Sequence, residues 1–597
     1  MKLTGGEVIA RTLKNYGVEY VAAIPGHGAW AMLDAFMQPD STIPVVQVYH
    51  EQSAVHMADG YWRATGRPMV AMTSIGPGAA NTVMALATAY ADSTSVLVIT
   101  GGPTSHMRGH GVMQELDRQR PNAFPEITAP VTKRSFVANT IEELPFILHR
   151  AFSAMLTGRP GPVHIEVPMD VQAESAEVEL RDLDARLPTG KAHPAPEAIL
   201  AAVETLKTAK TPVIALGGGA ITAEAAPEIL ALAEKLGAPV VTTWNGKSAF
   251  PEDHPLFAGS VGQTGTIPGN AIASEADVLV AIGCRFTDWS ASSYRQGTSF
   301  SIPPGKLIHI DVDPAEIGKN YPVDVGIVAD AQAAVAAIVE VLNGAQLDED
   351  AQAAHAEKLA GLKEQWFAKL STRLDSTDVP FTSQRPLRDL RNVLPRDGFV
   401  IVGSGNPQGT VKQTFPVYEP RTHMTSGSYS SMGWAVPAAI GVKLAHPERK
   451  VVCILGDGDF MMTMQEIAVC QAEGISVVFL IQNNSGYMSI RGGQRKITDR
   501  FVASEFTTPD GKPYSVDFKA LGESFGITSW LADDSDTLES ILAEALATEG
   551  PTIVEVTTAR DAAGPWVPGW WDFPVPAYID DERQQEYWDG RNLEQHL

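Results

Sequence analysis

Cysteine is scarce in this chain: three residues in 597, Cys284, Cys453 and Cys470, with no C-x-x-C pair among them. That usage excludes a disulfide framework and fits the cytoplasm. Positive charge is also short. Lys and Arg number 45 against 70 Asp and Glu, a formal net charge of −25, which argues against nucleic acid or an anionic membrane as partner. No uninterrupted apolar run reaches membrane-spanning length. The first residues, MKLTGGEVIARTLKNYG, read as a short amphipathic helix rather than a signal peptide. What is present is ordinary globular composition, 44% hydrophobic and 19% charged. A chain of this length is too long for one core and long enough for three domains. Acidic residues gather in IDDERQQEYWDGRNLEQ near the end, where a solvated face is expected.

The pattern alternates strand and helix throughout, predicting an α/β protein of three Rossmann-like, doubly wound parallel-sheet domains. The first spans 1–185, the second 190–345 after the linker KAHPAPEA, and the third 381–570. Residues 346–380 read as an exposed helical connector, and 571–597 as a tail. In the first domain, strands at 20–24, 45–48, 69–73 and 96–100 alternate with helices opening at Gly28 and Glu51 and a small-residue helix running to Tyr90. Ligands in such sheets collect beyond the carboxyl ends of the strands. There stand Ile24-Pro25-Gly26-His27, His50-Glu51, Ser74-Ile75-Gly76-Pro77-Gly78 and the loop carrying Gln114. Taken alone, Glu51 is an acid in a first helical turn, where it complements the dipole. The central domain repeats helix, strand and glycine turn; its GGGA is by itself a weak nucleotide signal.

The most informative stretch is VVCILGDGDFMMTMQEIAVCQAEGISVVFLIQNNSGY, residues 451–487. The apolar run 451–455 predicts a buried parallel strand, followed by a tight Gly456-Asp457-Gly458 turn, a helix over 461–470 and a second strand over 476–481. Asn483-Asn484 closes it. Parallel strands end on one edge, so Asp457 and Asn484 should meet there. A carboxylate and an amide oxygen suit Mg²⁺, which binds beside phosphate oxygens and water. Gly-Asp-Gly alone is common turn chemistry; the Asn pair ending the next strand gives the motif its meaning.

This stretch resembles the diphosphate-binding motif of thiamine diphosphate (ThDP) enzymes, a GDG followed by an NN at this separation. The resemblance implies that Asp457, Asn484 and the carbonyl of Gly486 hold Mg²⁺, with Gly456, Gly458, Asp459 and Tyr487 against the cofactor. YHEQSAVHMADGYWRATG resembles the catalytic-glutamate segment of the acetolactate-synthase group, and SIGPGAANTVMALATAYADSTSVLVITG the segment that follows it. Glu51 would then bond the pyrimidine ring nitrogen of ThDP, with Gly76 and Pro77 beside the cofactor. The cofactor carries the carbanion chemistry, and the protein supplies position and proton control. Gln114, in GVMQELDR, resembles a loop glutamine that points into the active site. His27 takes a turn position where relatives carry Gly, Asp or Ser facing the reacting carbon; a histidine there can move protons or bind a substrate oxygen. Met432, in SSMG, matches the residue that props ThDP into its bent form, and Ser404, Gln408 and Ser430 are further diphosphate-binding candidates. IHIDVDPAEIGKNYPVDVGIVAD resembles the middle domain in which acetolactate synthase binds FAD without redox use. FAD is therefore a candidate cofactor, with Asp311 and Asp313 near a ribose, and an empty structural domain is the alternative. In this family one subunit's glutamate meets another's diphosphate site, so a homodimer or homotetramer is expected.

The resemblance leaves the substrate open. Decarboxylation of a 2-oxo acid with carboligation, as in acetolactate synthase, is the leading reading. However, NNSGYMSIRGGQ lacks the usual tryptophan-bearing segment. Gly26-His27-Gly28, the NSGY turn, GTIPGN with RFTDWSASS, and the tail pair Trp570-Trp571 resemble trihydroxycyclohexanedione hydrolases. Those open a ring between two carbonyls. A non-catalytic ThDP-fold binding protein is a third and weaker alternative, because Glu51, Asp457 and Asn484 are all present.

Overall fold

The computed structural model describes residues 1–180, 190–560, 566–579 and 581–594. The expected domain boundary at 185 lies outside them. Three six-stranded sheets form the body, and every pairing within them is parallel. The first sheet runs, in spatial order, Val45–Gln47, Val21–Ala23, Val70–Thr73, Leu97–Gly102, Val163–Pro168 and Arg134–Val137. The third runs His423–Thr425, Phe399–Val402, Val451–Gly456, Val478–Asn483, Thr552–Thr557 and Thr528–Ala532. The central strands are buried and rich in Val, Ile and Leu, as sheets covered by helices on both faces require. In the first and third sheets the chain first reverses its direction of progress after Val21–Ala23 and Val45–Gln47, and after Phe399–Val402 and His423–Thr425, and it reverses again at the far edge, where Arg134–Val137 and Thr528–Ala532 precede their inner neighbours in sequence. The first reversal opens a crevice beside the first of each pair.

Local chemistry differs from expectation in several places. The strand Val451–Gly456 passes straight into the helix Asp457–Thr463, so Asp457-Gly458 is a helix start rather than a free-standing turn. The expected helix over 461–470 is split: a 3₁₀ turn, Met464–Glu466, separates it from Ile467–Glu473. The helix running to Tyr90 is likewise two, Pro77–Ala80 and Val83–Ala91. A short antiparallel pair, Lys2–Thr4 with Ser175–Glu177, was not foreseen; it ties the start of the chain to the end of the first domain. The connector is one helix, Glu349–Leu374, but it is not simply exposed. His355, Leu359, Trp366, Leu370 and Leu374 bury one face, Leu359 joining the central core and Trp366 meeting Trp566 edge-on.

The first and third domains share a core. The helix Glu51–Thr65 packs along Ala435–Ala445, and their apolar residues belong to one cluster that includes Trp434, Tyr61 and Met57. Backbones touch here. A Cβ on Gly441 would lie 2.0 Å from the Met57 carbonyl oxygen, and one on Gly60 would lie 2.3 Å from that of Ala438. Glycine is therefore required at both crossings, and the close approach fixes how the Glu51 helix stands against the third domain.

Candidate active site

At the crevice of the third sheet, Asp457 begins its helix with the carboxylate almost wholly enclosed, 3% of the residue being exposed. The Gly486 N–H donates to Asp457 Oδ2 at 3.1 Å and the Gly458 N–H to Oδ1 at 3.0 Å. Burial pushes this carboxyl up to about 6, against the pull of backbone N–H groups at Gly458, Gly486 and Ser485. The strand Val478–Asn483 ends alongside, and the loop after it brings Asn484 and Gly486 to the same edge. Asn484 Oδ1 is buried and accepts no hydrogen bond within the chain. Its amide nitrogen reaches Thr558 Oγ1 at 3.5 Å. An enclosed carboxylate beside an orphaned amide oxygen is a hard donor set, and it fits Mg²⁺. Asn483, by contrast, is structural: its amide donates to Glu555, a buried strand carboxylate that sequence reasoning did not single out. The Tyr487 ring lies across Gly458, where a Cβ would sit 2.5 Å from Tyr487 Cε1, and edges onto Phe506. A Cβ on Gly456 would meet nothing within 4 Å, so this glycine faces open space.

Above the neighbouring strand Phe399–Val402, hydroxyls and amides converge. Ser404 Oγ lies 2.9 Å from Ser426 Oγ and 3.4 Å from Ser430 Oγ. Ser430, held at a left-handed φ of 51°, donates to Gln408 Oε1 at 3.2 Å. Gln408 in turn donates to Thr425. The three residues expected to bind diphosphate thus form one cluster. Asp459 does not face it as a free ligand; its carboxylate accepts from the backbone N–H groups of Ser404 and Gly433 and pins the two loops together. Met432 lies just before Gly433, half-buried and outside every apolar core cluster, so it is not ordinary core filling.

The first sheet presents its own crevice. His50 caps the helix Glu51–Thr65, its Nδ1 accepting from the Gln52 N–H at 3.2 Å, which accounts for His50 structurally. Glu51 is half-buried; Asn81 Nδ2 donates to its Oε2 at 2.8 Å. Asn81, in GPGAAN, is the partner that sequence reasoning passed over. Gly78 lies against the same carboxylate, a Cβ there falling 3.2 Å from Glu51 Oε1. Gly76 has φ +64°, and a Cβ on it would be 2.3 Å from the Gln114 carbonyl oxygen; this turn and the Gln114 loop are in direct contact. Pro77 opens the short helix that follows. His27 starts a 3₁₀ turn whose Gly28 N–H donates to Ser74 Oγ at 3.1 Å, and His27 Nε2 is buried without a partner. Among the described residues, no hydrogen bond joins Glu51 to the Asp457 cluster; each crevice is built separately.

Family models for thiamine pyrophosphate enzymes match all three domains: the N-terminal TPP binding domain over residues 3–120, the central domain over 199–338, and the C-terminal TPP binding domain over 403–556. The chain belongs to the thiamine pyrophosphate enzyme family. It is 35% identical to a probable acetolactate synthase large subunit of Methanocaldococcus jannaschii, over 95% of this chain and 94% of that one. It is 34% identical to the acetolactate synthase large subunit of Haemophilus influenzae, over 92% of each. Identity to the acetolactate synthase of Arthrospira platensis is 35%, over 94% of this chain and 95% of the relative. The protein is thus a ThDP-dependent enzyme of acetolactate synthase-like type.

In this thiamine pyrophosphate enzyme a cavity of about 420 Å³ lies where the central domain meets the other two. Gly217–Gly219, Gly283 and Asp311 line its central-domain side and Arg63 and Asp92 its first-domain side. Trp244 Nε1 and Asn245 Oδ1 stand on its wall, buried and without hydrogen-bond partners. Asp313 pairs with Arg159 at 3.3 Å. The tail pair is divided. Trp571 packs on Trp289, with ring centroids 4.7 Å apart, and donates to Asp288. Trp570 bonds Glu594 and lies under Arg295. Through these contacts the described part of the tail packs against the central domain. No helix among the described residues is long and apolar enough to cross a membrane.

Proposed function

We propose that the protein decarboxylates a 2-oxo acid and joins the resulting two-carbon unit to an acceptor carbonyl, as the acetolactate synthases it is similar to are named for. The observation that carries the reading is the matched pair of crevices: Glu51 with Asn81 in the first sheet, and Asp457 with the unpartnered Asn484 oxygen in the third. Asp457, Asn484 and the Gly486 carbonyl would hold Mg²⁺, which neutralises diphosphate charge. Ser404, Gln408, Ser430 and the backbone around Gly456 would hold the diphosphate itself, and Met432 would support the cofactor's bend. Bound ThDP supplies the electron sink for carbanion chemistry. Glu51 would hold a proton against the pyrimidine ring, oriented by Asn81. Gln114 and His27 would bind the oxygens of the substrate. Burial in an enclosed site strengthens every one of these polar contacts.

A homodimer, or a homotetramer made of two, brings one subunit's Glu51 to its partner's Asp457. Tyr49, next to the Glu51 turn, is 52% exposed, and Met461 and Met462, on the helix that begins at Asp457, are 41% and 49% exposed; such apolar groups beside a polar site suit an interface. FAD is the proposed occupant of the central cavity, a reading supported by its glycine turns and its unpaired indole and amide groups, and would serve there as a structural cofactor. Three buried, unpaired cysteines support a cytoplasmic setting. Hydrolytic opening of a cyclic dione is the second reading, favoured by the unpartnered His27 Nε2, which could deliver water or a proton to a second carbonyl.

The deciding experiment is an NMR time course of purified protein with Mg²⁺, ThDP and pyruvate. Acetolactate or acetoin with CO₂ release is the expected result. Intact pyruvate in the presence of demonstrably bound ThDP overturns it in favour of the dione reading, to be followed with inositol-derived diones. A Glu51→Gln variant should lose turnover by at least about 100-fold, the scale of a removed general acid–base group, while keeping its fold.

A further inference from the structure

The loop between the strand Leu97–Gly102 and the helix Phe124–Thr128 carries Gln114 across the first crevice and is anchored at few points. Near its start, the N–H of Ser105 donates to the half-buried Asp170 at 3.0 Å. Near its end, Asn122, at a left-handed φ of 51°, donates to Glu166 Oε1. Within the loop the Gly109 N–H donates to Glu115 Oε1 at 2.8 Å and the Ala123 N–H to the Leu116 carbonyl at 2.9 Å, and Arg120 pairs with Glu126 of the following helix at 2.5 Å. Glu166 is the unusual member. It stands in the middle of the strand Val163–Pro168, only 1% exposed, where an apolar residue would be expected. Its carboxylate emerges under the loop over Gly102, where a Cβ would fall 2.7 Å from Glu166 Oε1. The charged groups facing it are Arg108 and Glu115, both on the loop. Arg108 Nε and Nη2 and Glu115 Oε2 are buried without hydrogen-bond partners, so the polar layer beneath the loop is not saturated.

We propose that Glu166 is the positioning residue that seats the Gln114 loop through Asn122, and that the loop loosens when Glu166 gives up its proton. The role assigned to Gln114 rests on the reading above; the seating itself does not. Burial pushes the Glu166 carboxyl from its ordinary 4.5 up to about 7, outweighing the bond from Asn122 and the charge of Arg108, while Glu115 adds to the rise. The sign follows from linkage. The seated loop holds the proton more tightly than an open loop that exposes Glu166 to water. Seating is therefore favoured at low pH and weakens as pH rises through about 7. A glutamine keeps an acceptor for Asn122 and cannot ionise.

The test is hydrogen exchange read by mass spectrometry on the full-length protein at pH 6 and pH 8.5, with intrinsic chemical rates divided out. In the wild type, peptides covering 105–122 should lose about tenfold in protection between the two pH values. The Glu166→Gln variant should keep high protection at both, and Asn122→Ala should be poorly protected at both. Protection of 51–65, unchanged throughout, reports that the domain is folded. Equal wild-type protection at the two pH values, or the same pH dependence in Glu166→Gln, overturns the proposal. Steady-state kinetics on the same variants separate the two readings. If Gln114 meets substrate, KM of the wild type should rise above pH 7 and that of Glu166→Gln should not. A KM indifferent to pH beside the expected exchange pattern would refute the Gln114 role and leave the seating intact.

Discussion

Gly441 allows a sharp test of how the two cofactor-binding domains are held together. In Gly441→Ala the new Cβ would stand 2.0 Å from the Met57 carbonyl oxygen, whereas ordinary contact begins at 3.4 Å; the two helices must part by the difference, about 1.4 Å. The obstacle is backbone inside a regular helix, so no side chain can swing away. Overpacking of this kind costs ~1–3 kcal/mol, and the better helix propensity of alanine returns up to ~1 kcal/mol. A net loss of ~2 kcal/mol corresponds to a Tm lower by roughly 4–8 °C for a domain of this size. Activity should fall further than stability. The displaced helix begins at Glu51, and a misplacement of about 1 Å at a reacting group can cost ~100-fold in rate. Thermal unfolding and ThDP-dependent turnover, measured together, read both effects. Gly361→Ala is the control: it lies inside the helix Glu349–Leu374 with nothing within 4 Å of its would-be Cβ. That variant should raise stability by ~0.5–1 kcal/mol and leave turnover alone. If Gly441→Ala melts and turns over like the wild type, the backbone contact does not set the domain arrangement.

Removing the unpartnered oxygen in Asn484→Ala should weaken Mg²⁺-dependent ThDP binding by ~10–100-fold with little change in Tm, checked by titrating each ligand against tryptophan fluorescence; unaltered binding would mean that Asn484 does not face the metal. Glu466 is fully buried and accepts from the Tyr49 N–H, and burial pushes its carboxyl from 4.5 up to about 7. A raised carboxyl favours the native state while protonated, so this contribution fades as pH rises from about 4.5 to 7. Glu466→Gln should therefore be more stable than the wild type at pH 8, by at most ~3 kcal/mol. At pH 5 the gap should shrink to below ~1 kcal/mol, and equal melting at both pH values would refute the assignment.

Much of the site could be read from residue order, because its pieces are short-range. The strand before Asp457, the strand before Asn484 and the helix after Glu51 each announce themselves by composition, and parallel pairing then sends their ends to one edge. The convergence of Ser404, Gln408 and Ser430 required the fold, since the hydroxyls come from separate loops and meet only through the register of adjacent strands. His50 shows the limit of adjacency. It stands beside Glu51 in sequence, yet its ring is spent on capping the helix. Asn81 and Glu166 were missed for opposite reasons. Asn81 hides among small turn residues, and Glu166 is a charged residue within an apolar strand whose purpose is visible only from the loop above it. The split helix at Met464–Glu466 escaped notice because apolar periodicity passes through a 3₁₀ turn almost unchanged.

The sequence by itself determined the three parallel sheets, the family, and the residues at each strand end, since these depend on local periodicity and on motifs of fixed spacing. Tertiary structure decided three further things: that the first and third domains share one core, that the central domain encloses a cavity against both, and that the described part of the tail packs against the central domain. The physical reason is common to all three. Each rests on contacts between residues hundreds of positions apart, Met57 with Gly441 or Trp289 with Trp571, and only the packed backbone brings these within van der Waals reach.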